Sequence, residues 1–491
     1  MVKQVSVRVL FYLVISIVLQ GIAVLIYPVN HYVTGLISVL EAVFLYFYIV
    51  IRVANWNWMD IRALFSATWF CTIGLASLRL TDYQEEWKLL TWICLELVYV
   101  CIQIGCVFGE AISNKLIEVF SKHKLSKMSF KFSERRLFYC CVGVTLMGLI
   151  CFSINVAIKG FIPFFSTDDS AYFNFYTKFH IFAVATTMIS GPCYYCIKKC
   201  NLKAWQKVIM WLCIAYATFI YPTLIVSRGT FLTSALSLVA FIFYLNRKKL
   251  WILIASVTVI MGIYLLLSQA RGYTNDQLLA FFEPSKIVVD KGPVSQKPPK
   301  DTTSDTDEPM TDTEDSTEKP GDEPNNEEVV FSLPGSVVFL YSYLTVSHDN
   351  FNAAIANDVD FSYGGRQLAP FNVILRIDAL DNMLENQMIY KVRPHLNTIN
   401  LAGYFYYDFG VFGVVFLSFI WGAIFMAIQK MFERTGGVFS LWALGNTMSP
   451  IILCFFTPWL SIFSHWMHWG LAFVIWIVAS VSIIPKDTRS I

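Results

Sequence analysis

Five arginines, Arg228, Arg271, Arg366, Arg376 and Arg393, lie in or beside connections between apolar runs. A guanidinium stays charged and donates two parallel hydrogen bonds from a planar fork, which suits phosphate and diphosphate oxygens. Arg228 stands in Ser227-Arg228-Gly229, between two apolar runs and without an acidic neighbour in sequence. At the centre of a bilayer an arginine costs about 2.5–3.5 kcal/mol, so a charge at the edge of such a run asks for a partner. The other arginines have a second explanation, pairing with carboxylates such as Asp360, Asp378, Asp381 and Glu385.

His395, within Arg393-Pro394-His395-Leu396-Asn397-Thr398, is a candidate base. A neutral imidazole can take a proton from a sugar hydroxyl, the base step of glycosyl transfer, although a loop histidine is also compatible with simple solvation. His348, His465 and His468 are weaker alternatives; the last two sit among Trp459, Trp466 and Trp469, which read first as an interfacial aromatic belt. Glu41 and Glu96 fall near the middle of apolar runs. Ionisable residues there are functional candidates by default and would suit a proton-coupled transporter, or they are neutral, hydrogen-bonded acids. Cys193, Cys196 and Cys200 have no fourth ligand nearby, so no metal site is expected. Nucleotide-type phosphate loops, zinc-protease helices and serine elbows are missing. An enzyme built this way would receive substrates that are already activated, on a lipid rather than on a nucleotide.

These residues must be positioned by apolar elements. The chain is 56% hydrophobic, 16% aromatic and only 15% charged. A helix crossing the bilayer needs about 20 mostly apolar residues. Twelve such runs occur, at roughly 9–26, 33–51, 63–78, 89–109, 137–157, 179–197, 208–226, 229–245, 250–268, 404–428, 438–456 and 467–484. The expected fold is therefore an all-α polytopic membrane protein with about twelve transmembrane helices. The first run follows Lys3 and Arg8 without a small-residue cleavage site and reads as an uncleaved helix.

Basic residues set the orientation. Lys115 to Arg136, Lys198 to Lys207, Arg247 to Lys249, Lys430 with Arg434, and Lys486 with Arg489 all fall on one side if the spans alternate. Cytoplasmic loops carry this excess, which makes both termini cytoplasmic. All twelve cysteines lie in spans or cytoplasmic connections, and none in the long loop. Residues 1–268 then hold nine spans, 269–403 form one large extracytoplasmic loop, and 404–491 hold three more spans. Within the loop, 298–328 is an acidic stretch of Asp, Glu, Thr, Pro and Ser that cannot bury enough apolar surface to order itself. Leu278 to Val289 is amphipathic, and Val329 to Leu401 mixes aromatics with helix-like runs, the pattern of a partly helical cap.

Several segments carry a resemblance. Asn397-Thr398-Ile399-Asn400, followed by Tyr407-Asp408-Phe409-Gly410-Val411-Phe412-Gly413 running into a span, resembles the oligosaccharide repeat-unit polymerases, the Wzy-type O-antigen and capsule polymerases of bacteria. Gly160-Phe161-Ile162-Pro163, Ser227-Arg228-Gly229 and Ser362-Tyr363-Gly364-Gly365 are similar to the same family, and His395 with Asn397 is similar to the related O-antigen ligases. The resemblance implies glycosyl transfer at the outer face of the bacterial plasma membrane, from a growing chain on polyprenyl diphosphate to a hydroxyl of a lipid-linked repeat unit. It makes the arginines diphosphate ligands and His395 the base, with the carboxylate of Asp408 as the substitute. It gives Asn397, Gly410 and Gly413 a structural part. It implies no cofactor and no metal, since fixed guanidinium groups take over the cation's role. Partners would be polyprenyl-diphosphate-linked oligosaccharides, the bilayer, a chain-length regulator and a flippase, with no nucleic acid. Two other readings stay open. One is a flippase or transporter of the same lipid-linked units. The other is a polyprenyl-monophosphate sugar transferase, which needs acidic residues in the first outer loop; here Tyr27 to Tyr32 contains none.

Overall fold

The computed structural model describes residues 2–81, 83–122, 132–166, 175, 177–246, 249–269, 288–291, 335–393, 396 and 398–480. Arg271, His395, Asn397 and the acidic stretch 298–328 lie outside them, as does nearly all of 278–289.

The helices are α1 Val2–Ile26, α2 His31–Tyr48, α3 Ile61–Ser77, α4 Leu89–Lys122, α5 Glu134–Lys159, α6 Lys178–Ala185, α7 Ser190–Lys199, α8 Ala204–Ala215, α9 Arg228–Leu245 and α10 Leu250–Gln269. After them come α11 Gly335–Ala356, α12 Gly365–Leu375, α13 Asp378–Asn386, α14 Leu401–Thr435, α15 Val438–Ile452 and α16 Phe463–Ser480. Two short strands, β1 Val288–Lys291 and β2 Met388–Lys391, pair antiparallel with Val288 opposite Lys391. Where described, the apolar runs fall mainly on helices; the run at 179–197 is split into α6 and α7 by the tight turn Thr186–Ile189, and the run at 208–226 passes from α8 through the wider turn Tyr216–Ile220 into a short helical turn, Tyr221–Leu224.

Among the described residues, seven helices are long and apolar enough to cross a membrane: Val7–Ile26, His31–Val53, Leu89–Lys115, Glu134–Lys159, Ala204–Leu224, Arg228–Leu245 and Leu401–Thr435. Ile61–Ser77, Leu250–Ile263 and Val438–Ile452 are apolar but shorter. The side-chain distribution is that of an all-α membrane protein. On α1 the polar Tyr12, Ser16 and Gln20 are buried, whereas Leu10, Val18 and Leu25 are 62%, 53% and 78% exposed. In water that arrangement is inverted; against lipid it is the stable one, because polar groups need partners that hydrocarbon cannot give.

Polar caps fix where helices begin. Asn30, Asp60, Ser133, Ser227 and Asn400 each accept a backbone N–H from the first turn of the helix that follows. At the other end of α5, Gly160 takes the left-handed conformation (φ 77°) that stops the helix, and Pro163 starts the next turn. Gly160-Phe161-Ile162-Pro163 is thus a helix stop.

A close helix crossing joins α4 to α14. A Cβ on Gly105 or Gly109 would collide with the carbonyl oxygens of Phe419 and Ala423, and one on Gly422 would collide with that of Ile102. Small residues four apart let two backbones touch in this way, so the contact is made by dispersion and close packing rather than by large side chains.

Candidate functional site

Arg228 opens α9. Ser227 caps the helix by accepting the Thr230 amide at 3.3 Å, and the side chain of Arg228, in the first turn, reaches α11. Its Nη2 donates to Tyr343 Oη at 2.5 Å, and the guanidinium lies 4.6 Å from the centre of the Tyr343 ring. Tyr343 is itself stacked on Phe456 at 5.1 Å. The charge, buried to 6% exposure, is held by an aromatic face and a phenol.

Arg228 and Tyr343 line a cavity of about 760 Å³ between α6, α9, α10, α11 and the segment from Ile452 to His468. Its walls are mostly apolar, with Val184, Ile260, Leu344, Phe455 and Phe463 among them. Leu396 and Thr398 also reach it, on either side of Asn397 in sequence. Four polar atoms of cavity-lining residues are buried with no hydrogen-bond partner among the described residues: Thr398 Oγ1, Trp459 Nε1, His465 Nδ1 and His468 Nδ1. Each such atom costs about 1–3 kcal/mol while it stays unpaired. The cavity is otherwise apolar, with Arg228 the charged side chain in its lining among the described residues.

Arg366, Arg376 and Arg393 do not line this cavity. Arg366, near the start of α12, lies 4.6 Å over the Tyr407 ring, and its Nε and Nη2 are buried without a partner among the described residues. Burial pulls its pKa below the ordinary guanidinium value. Arg376 ends α12 in a left-handed conformation (φ 52°) and is exposed. Arg393 is buried with its guanidinium 5.8 Å from the Tyr83 ring. Ion pairs found among the described residues involve neither Arg366 nor Arg376.

Asp408 does not reach the cavity but organises a turn. Inside α14 the helix breaks at Phe409 (φ −140°, ψ 21°) and Gly410 (φ 60°, ψ −145°). The carbonyls of Tyr407 and Asp408, released by the break, accept the amides of Ser362 and Tyr363, both at 2.9 Å. The Asp408 carboxylate accepts the Ser362 hydroxyl, the Arg366 amide at 2.9 Å and Gln367 Nε2 at 3.1 Å. It therefore caps α12, whose own preceding residue, Gly364 (φ 92°), offers no side chain. Gly410 needs its positive φ, and a Cβ there would also press on the Phe361 ring at 3.0 Å. Asp-Phe-Gly-x-x-Gly and Ser-Tyr-Gly-Gly are two halves of one joint, with Gly413 packed under the Phe405 carbonyl.

His348 is a fixed structural residue. Asn400 Nδ2 lies 2.9 Å from its Nδ1, and its Nε2 lies 3.1 Å from Thr72 Oγ1, so both ring nitrogens are engaged. Next to it, the Asp349 carboxylate accepts Trp87 Nε1 at 2.9 Å and Gln84 Nε2 at 3.0 Å, and burial pushes its pKa up to about 7. Glu41 accepts Gln20 Nε2 at 2.6 Å and Glu96 accepts Ser16 Oγ at 3.2 Å, which ties α1 to α2 and α4. The twelve cysteines are all free, and no cluster among the described residues could hold a metal ion.

Sequence reasoning overlooked two features. One is His180 of α6, which lines the cavity and lies 3.4 Å from Tyr221 Oη. The other is a charged network at the opposite end of α3. There Asp60 caps α3 and holds the Arg62 guanidinium through two bonds of 3.0 and 2.9 Å, while Gln429, Glu110, Lys430 and Glu433 complete the set. Asp-x-Arg ahead of an apolar run was its one signal in the sequence.

Compared with protein-family models, with curated proteins and with solved structures, the chain matches none of them.

Proposed function

We propose that the protein polymerises polyprenyl-diphosphate-linked oligosaccharide repeat units into surface polysaccharide at the outer face of a bacterial plasma membrane. In this reading the helix bundle has about twelve spans, both termini face the cytoplasm, and residues 269–403 form the outer cap. The observation that carries it is the cavity. Its apolar walls suit an isoprenoid and Arg228 suits the diphosphate. An acceptor hydroxyl attacks the anomeric carbon, the bond to the diphosphate breaks, and Arg228 stabilises the charge that develops on the leaving group. The five arginines need not act together: Arg228 is the diphosphate ligand, and Arg366, Arg376 and Arg393 belong to the cap. Asp408, committed to capping α12, is a poor base.

One observation favours a transporter of the same lipid-linked units. Glu41 and Glu96 each keep a carboxylate oxygen without a partner among the described residues, inside the packing of α1, α2 and α4. Intramembrane acids of this kind mark proton-coupled carriers.

A deletion strain separates the two. An impermeant sugar-binding probe on intact protoplasts reports which face carries the lipid-linked units. Single units outside, without long polymer, are the expected result for a polymerase; units trapped inside would transfer the assignment to a flippase.

A further inference from the structure

From Leu368 to Leu375, α12 carries one polar side chain, Asn372, which is buried and donates to the Ile377 carbonyl and the Asp381 carboxylate. Successive residues of a helix are turned by about 100°, so Val373, Ile374 and Leu375 point to three different sides of it. All three are more than half exposed, at 53%, 66% and 53%, and Leu368, on the same side as Leu375, is exposed to 50%. The neighbouring α13 has the opposite character. Its Leu380 and Leu384 are buried while Asp378, Asp381, Asn382 and Glu385 are exposed, the division of a helix that lies against water. A helix that is apolar nearly all round belongs in a protein core or in lipid.

What surrounds α12 follows from where it sits. Asp408 caps its first turn at the break in α14. Halfway along it, the Phe371 ring lies 5.0 Å from that of Trp466 of α16, which in turn lies 5.8 Å from that of Trp421 of α14. Gly410, at the break, and Lys430 are twenty residues apart, about 30 Å of helix and the thickness of a bilayer's hydrocarbon core. Trp421 stands about 16 Å along that length from the break. The two ring contacts are too short to carry Phe371 back past the break, so α12 lies beside the end of the span and not above it.

We propose that α12 is an interfacial helix, lying along the bilayer surface at the Gly410 end of α14 with Leu368, Val373, Ile374 and Leu375 among the acyl chains. Phe371 fastens it to the spans, α13 covers it on the water side, and the exposed Arg376 just past its end reaches up to the lipid phosphates. In the orientation proposed above this leaflet is the outer one, and α12 is the underside of the cap. The placement needs only that the bundle spans a membrane, and it holds for a polymerase and for a transporter alike.

The experiment places a fluorescent amino acid at Ile374 of the full-length chain, one copy per nanodisc of phosphatidylethanolamine and phosphatidylglycerol. Leu368 is the second labelled site and Glu385 of α13 the water reference. Phosphatidylglycerol carrying a nitroxide near the headgroup end of its acyl chains should quench Ile374 at least about threefold more than Glu385, and dissolved iodide should show the reverse order. Leu368 should behave as Ile374 does, which keeps the test decisive where one labelled protein fails to accumulate. Iodide quenching at Ile374 equal to that at Glu385 would put α12 in water and overturn the proposal. Protection from both quenchers would overturn it equally, by showing the face covered by another part of the same chain, since a disc with one copy holds no second molecule to cover it.

Discussion

The phenol and ring of Tyr343 orient the Arg228 guanidinium in the cavity wall. This is the condition in which a cation stabilises a developing anion most, because a fixed dipole or charge in dry surroundings needs no reorganisation during reaction. Arg228→Ala should lower elongation by at least about 100-fold with normal protein level in the membrane. Arg228→Lys should recover little of it, since an ammonium offers neither the planar fork nor the same stacking on Tyr343. The check is glycan length on gels together with immunodetection of the protein; unchanged chain length in Arg228→Ala would remove this residue from the site. What the sequence showed of Arg228 was its isolation from acids. The tyrosine that holds it, 115 positions away in the chain, left no local trace. His465 and His468 were visible beside tryptophans, yet the contact of His468 Nε2 with the Val184 carbonyl of another helix left no sign in the sequence.

At the scale of elements, the break in α14 has two consequences. It frees carbonyls for the Ser362 and Tyr363 amides, and it aims the Asp408 carboxylate at the first turn of α12. A carboxylate also interacts favourably with the positive end of a helix. Asp408→Ala should lower the stability of the detergent-solubilised protein by about 1–3 kcal/mol, through the lost cap and the unpaired Ser362 and Gln367 groups. A thermally normal Asp408→Ala protein with no turnover would instead return Asp408 to the chemistry. Apolar runs translated directly into helices because hydropathy is a local property. The joint between residues 362–366 and 407–410 was visible only as two separate glycine motifs, since their pairing is tertiary. The three-residue connection at Ser227 also hid that Arg228 is already helical.

At the scale of the whole molecule, distant parts of the chain are locked at the α4–α14 crossing. Glycines there bring the backbones into contact, Glu110 and Lys430 join the same two helices through their charges, and Arg62 ties α3 to Glu110. Gly109→Leu should abolish this packing and remove the protein from the membrane fraction, whereas Gly143→Leu, at a position with open space around it, should be accepted. Equal accumulation of the two variants would show that the crossing contributes little to the fold.

That crossing also sets a schedule for biogenesis. After α4 leaves the ribosome, roughly 300 further residues must be made before α14 exists, about 15–60 s at ~5–20 residues per second. Through that interval the face of α4 carrying Gly105 and Gly109 has no α14 to meet, and Glu110 waits for Lys430. The nascent chain must therefore be sheltered by the insertion machinery or by provisional helix contacts until the last quarter of the protein is translated.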